Sequence, residues 1–213
     1  MTHPKIAIID YGMGNTLSIA NALKRLNAVV VITDNPDEIV QADGIILPGV
    51  GAFGKAMKNL KDKGLDKLIR QYVLEDKKPF LGICLGMQLL AKSSLEDGFH
   101  KGIGIINAIV LPLHNDVLRV PHVGWNNVLQ TTSSSLFDAI PNDAHFYFDH
   151  SFYLQCEEND SITASTEYGS TITATYEHAN IHAVQFHPEK SQQYGLRMLQ
   201  NFLDTLTSKS LHA

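Results

Sequence analysis

The sequence predicts an α/β fold: a doubly wound, mostly parallel central sheet with an antiparallel extension from the second half. Three observations carry this. Short apolar runs alternate with helical periodicity through the first ninety residues. Two of those runs end in glycine-rich loops. Beyond Lys101, β-branched and aromatic runs alternate with turns, and helical periodicity returns only at Tyr194.

Lys5-Ile-Ala-Ile-Ile-Asp10 is nearly all apolar, as a central parallel strand covered on both faces should be. Leu17, Ala20, Leu23 and Leu26 then recur every three residues and predict an amphipathic helix. Gly12 and Gly14 lie in the loop between them. Leu17 stands where a dinucleotide fingerprint needs its third glycine, so no cofactor is expected. Val29-Val-Val-Ile-Thr33 is the second strand. Asn35 caps a short helix that has Pro36 at its first position. Gly44-Ile-Ile-Leu47 is the third strand and runs into Pro48-Gly-Val-Gly-Ala-Phe-Gly54. Three glycines at that strand end either form an ordinary flexible loop or offer backbone N–H groups to a charged oxygen. Residues 55–77 are helical, broken near Gly64.

The next apolar run enters through Pro79 and ends near Ile83. A helix is expected over residues 85–91. Cys84 sits between them, with Gly82 and Gly86 two positions to either side. This is the strand–elbow–helix pattern of Gly-x-Ser-x-Gly enzymes with Cys as the nucleophile. A helix N-terminus behind Cys84 favours its thiolate. A buried core cysteine is the alternative. The second half is expected to form strands over residues 102–107, 144–148, 161–164, 171–176 and 181–186, arranged as hairpins. An amphipathic helix over residues 194–206 follows, and residues 207–213 are expected to fray.

Composition narrows the function. The chain has 213 residues and a net charge of −5, which argues against a broad nucleic-acid-binding face. No apolar run approaches the roughly 18 residues of a membrane helix, and the N-terminus has no secretory pattern. The chain is read as one domain, residues 1–213. Its two cysteines need not pair in a chain this long, which fits a reduced, cytoplasmic setting.

A cysteine nucleophile needs a base, and the base an orienting group. His187 follows an apolar strand, and Pro188 biases it towards extended backbone. His187 and Glu189 then project to the same side, so the carboxylate can hold one ring nitrogen while the other faces the thiol. A turn histidine beside a surface glutamate is the plain alternative. His178, His182 and His187 cluster in sequence, with His145 and His150 upstream, but no Cys or carboxylate falls at zinc-ligand spacing. No metal is expected.

Taken together, Gly82-Ile-Cys-Leu-Gly-Met-Gln88 and His187-Pro-Glu189 resemble the class-I (triad) glutamine amidotransferases. Ile9-Asp-Tyr-Gly-Met-Gly-Asn15, Leu47 to Gly54, Val120-Pro-His-Val-Gly-Trp-Asn126, Phe146 to Ser151 and Gln185 to Ser191 narrow the likeness. In order, they resemble the glutaminase subunits of imidazole glycerol phosphate synthases, over about residues 5–205. Asp149 stands where that family has an aliphatic residue, and Phe152 where tyrosine is common.

The resemblance implies a three-layer fold and hydrolysis of L-glutamine to glutamate and ammonia. Cys84 is then nucleophile, His187 acid and base, and Glu189 orienter. The Leu85 N–H and the Gly49–Val50 peptide form the oxyanion hole. Gly49, Gln88, Glu96, His150 and Ser151 hold glutamine. Glu96 on its own also fits a solvated loop charge. A (β/α)8-barrel cyclase is the implied partner, forming a heterodimer through Trp125, Tyr147 and Lys190. Trp125 read alone also fits a core position. The rival readings are a triad amidotransferase serving another synthase, a cysteine hydrolase or peptidase on a related sheet, and a non-catalytic regulator.

Overall fold

A computed structural model of the chain describes residues 3–114 and 118–208. Strand β1 (Lys5–Ile9) pairs in parallel with β2 (Val29–Thr33) on one side and β3 (Gly44–Leu47) on the other. β4 (Phe80–Ile83) continues the parallel set beside β3. β14 (Ile181–Val184) adds a fifth parallel strand beside β4. From β14 outward the sheet turns antiparallel, through β13 (Thr171–His178), β12 (Ile162–Glu167) and the edge strand β9 (Leu129–Gln130). The sequence predicts residues 181–186 in a hairpin. Their hairpin with β13 exists, but β14 also closes the parallel core. Its four residues are all buried, the pattern of a strand covered on both faces.

One face of the sheet carries α1 (Thr16–Arg25) and α6 (Gln192–Ser208). Ile19, Leu23, Phe202 and Leu203 pack there on Ile6 and Ile8. The other face carries α2 (Pro36–Val40), α3 (Phe53–Asp62) and α4 (Leu65–Leu74), packed on Ala7 and Ile9. That side also holds a four-stranded sheet of β5 (Ala91–Ser94), β6 (His100–Lys101), β7 (Ile106–Pro112) and β11 (Phe152–Cys156). A separate ribbon pairs β8 (His122–Asn127) with β10 (His145–His150).

Asn35 caps α2 through Asp37 N, with Pro36 at the first position. Gly64, at φ 69°, separates α3 from α4. Four local expectations fail. Leu17 is 69% exposed, because α1 presents Ile19, Ala20, Ala22 and Leu23 to the sheet instead. The helix after Cys84, α5 (Leu85–Gln88), is four residues long, since Ala91 already pairs with Ile106 in β7. A single turn has little macrodipole to offer the sulfur. Residues 102–105 are not a strand, the ladder starting only at Ile106. Cys84 and Cys156 are both buried and unpaired. The frayed tail was predicted from residue 207, but α6 runs through Ser208, and residues 209–213 lie outside the described residues.

Candidate active site

The elbow is built by sterics. Cys84 has φ 53° and ψ −112°, a conformation costing on the order of 1–3 kcal/mol for a non-glycine residue. Its N–H donates to Val184 O at 2.8 Å, so the β4–β14 ladder holds the chain up to the sulfur. A Cβ on Gly86 would stand 1.8 Å from Leu47 O, and one on Gly82 would stand 2.9 Å from Gly86 O. The turn closes only without those side chains. Sγ lies 3.7 Å from Asp149 O and 3.7 Å from Gln185 Nε2.

His187 lies beyond the end of β14, on backbone whose N–H donates to Tyr147 O at 2.8 Å. Ser191 Oγ donates to His187 O at 2.6 Å and accepts from Tyr147 N at 3.0 Å. Glu189 Oε1 accepts from His187 Nδ1 at 2.9 Å, with both side chains at most 2% exposed. His187 Nε2 and Glu189 Oε2 are buried and make no hydrogen bond. Burial disfavours the His187 cation. The nearby Cys84 sulfur and the Glu189 carboxylate outweigh that and push its pKa up to about 10. Thiol and imidazole are thus coupled electrostatically before any bond with hydrogen-bond geometry exists between them. Catalytic contacts commonly tighten only when substrate arrives.

Cys84 opens into a cleft of about 310 Å³. Six of the other residues picked from sequence line it: Val50, Leu85, Gln88, Glu96, His150 and Ser151. Gly49 does not. A Cβ there would stand 2.7 Å from both Leu85 Cβ and Tyr11 Oη, so Gly49 lets the loop pack against the elbow. Gln88 Nε2 donates to Phe152 O at 2.8 Å and to Gln185 Oε1 at 3.0 Å. Glu96 is not a free loop charge: its Oε2 accepts from Phe53 N at 2.8 Å. Burial raises its pKa, opposed by that N–H.

Gln185 was missed as a site residue. It is fully buried and bridges Gln88 to the sulfur. An amide between Val184 and Phe186 in an apolar strand was the available signal. Pro121, Gly51, Asp149 and Phe152 also line the cleft. A larger cavity of about 400 Å³, at Thr131, Gln155 and Thr173, is lined by no thiol, imidazole or carboxylate.

Trp125 is 46% exposed, which excludes the core reading. It meets Tyr147 edge-on at 6.1 Å, and Lys190 Nζ lies 5.2 Å from the Tyr147 ring centre. Lys190 also pairs with Asp149 at 3.6 Å. Among the described residues, no helix is long and apolar enough to cross a membrane. Among them, too, no three of His, Cys, Asp and Glu converge as a metal site.

The family model for class-I glutamine amidotransferases matches residues 7–206. The chain is 49% identical over 197 residues to "Imidazole glycerol phosphate synthase subunit HisH" of Moorella thermoacetica, covering 92% of this chain and 93% of that one. It is 47% identical over 210 residues to "subunit HisH 2" of Vibrio vulnificus, covering 97% of each. Among solved structures, a "putative gmp synthase subunit a protein" from Thermoplasma acidophilum has a TM-score of 0.77 at 24% identity, covering 100% of this chain and 98% of that one. That last likeness concerns the fold alone. The motifs, the sheet order and these matches agree: the chain belongs to the class-I glutamine amidotransferase family, among the subunits of imidazole glycerol phosphate synthase.

Proposed function

We propose that the Cys84 cleft is where this chain hydrolyses glutamine for imidazole glycerol phosphate synthase, a step of histidine biosynthesis. The observation that carries this is one juxtaposition: a strained cysteine at an open cleft, coupled to a buried histidine that a buried carboxylate orients.

With its proton already held on His187 Nε2, the Cys84 sulfur attacks the side-chain amide carbon of glutamine. The tetrahedral oxyanion is met by the Leu85 N–H, at the first helical position where no intrahelical acceptor exists, and by the Gly49–Val50 peptide. Losing one such donor costs roughly 2.7–4 kcal/mol in the transition state. The C–N bond then breaks, His187 returns the proton to the leaving nitrogen, and ammonia departs. Water, deprotonated by His187, cleaves the thioester to glutamate and restores the thiol. Glu96 takes the substrate α-ammonium, while Gln88, His150 and Ser151 hold the rest of the glutamine.

The chain serves as one domain, residues 1–213, in the cytoplasm, as a heterodimer with a (β/α)8-barrel cyclase. Ammonia passes into that barrel, where a phosphoribulosyl precursor becomes imidazole glycerol phosphate and an aminoimidazole carboxamide ribonucleotide. Exposed Trp125, with the half-buried Tyr147 and Lys190 beside it, forms the docking face, consistent with the enrichment of aromatic residues at interfaces.

A glutamine-analogue chloroketone tests the cleft, applied with and without the cyclase. Labelling confined to Cys84, blocked by glutamine and accompanied by loss of ammonia release, is the expected result. Labelling elsewhere, or peptide cleavage without ammonia release from glutamine, would transfer the chain to the thiol-hydrolase reading.

A further inference from the structure

Behind the cleft wall, four hydrogen-bonding stations form a line with one consistent set of proton positions. At the inner end, Phe152 O can only accept, so His150 Nδ1, 2.9 Å away, carries a proton. His150 Nε2 is then the acceptor, and it takes its bond from His122 Nδ1 at 3.1 Å. His122 Nε2 in turn accepts from Asn126 Nδ2 at 3.3 Å. Two further bonds fix the amide of Asn126: Nδ2 donates to Glu167 O at 3.0 Å, and Oδ1 accepts from Asn127 N at 2.9 Å. Flipping either ring to its other tautomer, or protonating it, would set two donors or two acceptors against each other.

His122 is also held mechanically. Its ring stacks on Tyr168 at 3.9 Å and on Phe148 at 4.7 Å. His122 and His150 are cross-strand partners on the β8–β10 ribbon. Phe152 O receives a second bond, from Gln88 Nε2, and His150 and Phe152 both line the cleft. His122 does not line it.

We propose that His122 is a positioning residue for glutamine binding. It donates to His150 Nε2, holds His150 as the tautomer that bonds Phe152 O, and so fixes the cleft wall on which Gln88 is anchored. The idea rests on the cleft being the glutamine site. It goes beyond the triad because it assigns work to two histidines that exchange no proton with substrate. Burial lowers the pKa of both to about 4, so the line stays uncharged at neutral pH.

Steady-state glutaminase assays in the assembled synthase test it. His122→Leu strands the His150 Nε2 acceptor and should raise KM for glutamine about tenfold with kcat within about twofold, the scale of one buried hydrogen bond. His122→Asn keeps a donor near the Nδ1 position and should recover most of the loss. Chloroketone labelling of Cys84 should slow in parallel with KM, while labelling by iodoacetamide should not. An unchanged KM in His122→Leu, or no recovery in His122→Asn, would overturn the assignment. If the unsubstituted chain is not labelled at Cys84 by the chloroketone, the cleft reading falls and this proposal with it. Should His122→Leu not fold, nitrogen chemical shifts of the unsubstituted chain decide. His150 protonated on Nδ1 alone at pH 6 supports the line, and any other form at that pH overturns it.

Discussion

His187 and His150 are both buried near Cys84, at 2% and 6% exposure, yet their surroundings drive them in opposite directions. His187 faces a thiol and a carboxylate, and its pKa rises to about 10 despite burial. His150 faces a carbonyl oxygen and a second neutral ring, and burial takes its pKa down to about 4. Burial alone therefore does not set the charge of an imidazole; the charge of its partners does. Under the proposed mechanism the first cluster moves a proton, whereas the second keeps its protons where they are.

The strongest way to break this contrast is to make His187 resemble His150. Glu189→Gln swaps the charged partner for a neutral one of the same size and lets the ring take the wrong tautomer. Glutamate production should fall by a factor on the order of 10³–10⁴ in kcat, as orienting carboxylates of triads do. A loss below tenfold would show that Glu189 does not orient the ring.

A second experiment reads the neutral cluster through stability. The unfolded chain protonates His150 below about 6.5, whereas the folded chain resists until about 4. The unfolded state then binds more protons across that window, so His150 costs stability as pH falls from 6.5 to 4, by about 3 kcal/mol in total. His187 has the opposite sign: its contribution is full below about 6.5 and is lost as pH climbs towards 10. Urea unfolding of the unsubstituted chain and of His150→Gln at pH 6.5 and 4.5 separates the two. The variant should lose less stability on acidification.

The smallest effect is expected on the other face of the same ribbon. Trp125 lies opposite Tyr147 in the β8–β10 register and points away from His122. Trp125→Ala should change the stability of the isolated chain by no more than about 0.5 kcal/mol, or about 2 °C in Tm. Binding of the cyclase, followed by calorimetry, should weaken. Loss of soluble protein would contradict the surface placement.

The elbow was legible because it is local. Gly82, Cys84 and Gly86 lie within five residues, and so do His187 and Glu189. The parallel strands of the first half were legible from their unbroken apolar runs and the helical spacing between them. What escaped depended on distant neighbours. Gln185 becomes a site residue only when Gln88 and Cys84, about a hundred positions earlier, are brought to it. His122 looks like any histidine until His150 arrives across the ribbon. The four-residue α5 defeated helix propensity because Ala91 is claimed by pairing with β7. Leu17 followed a three-residue spacing that α1 does not use for packing.

The absent side chain at position 86 has a consequence for anyone redesigning this scaffold. Leu47 O occupies the space a methyl group would need, and Leu47 leads directly into the Pro48–Gly51 loop. Elbow and loop are therefore two halves of one joint, and neither can be re-cut alone. Exchanging sulfur for another nucleophile asks little of the backbone, whereas one added carbon two residues later would pry the joint open.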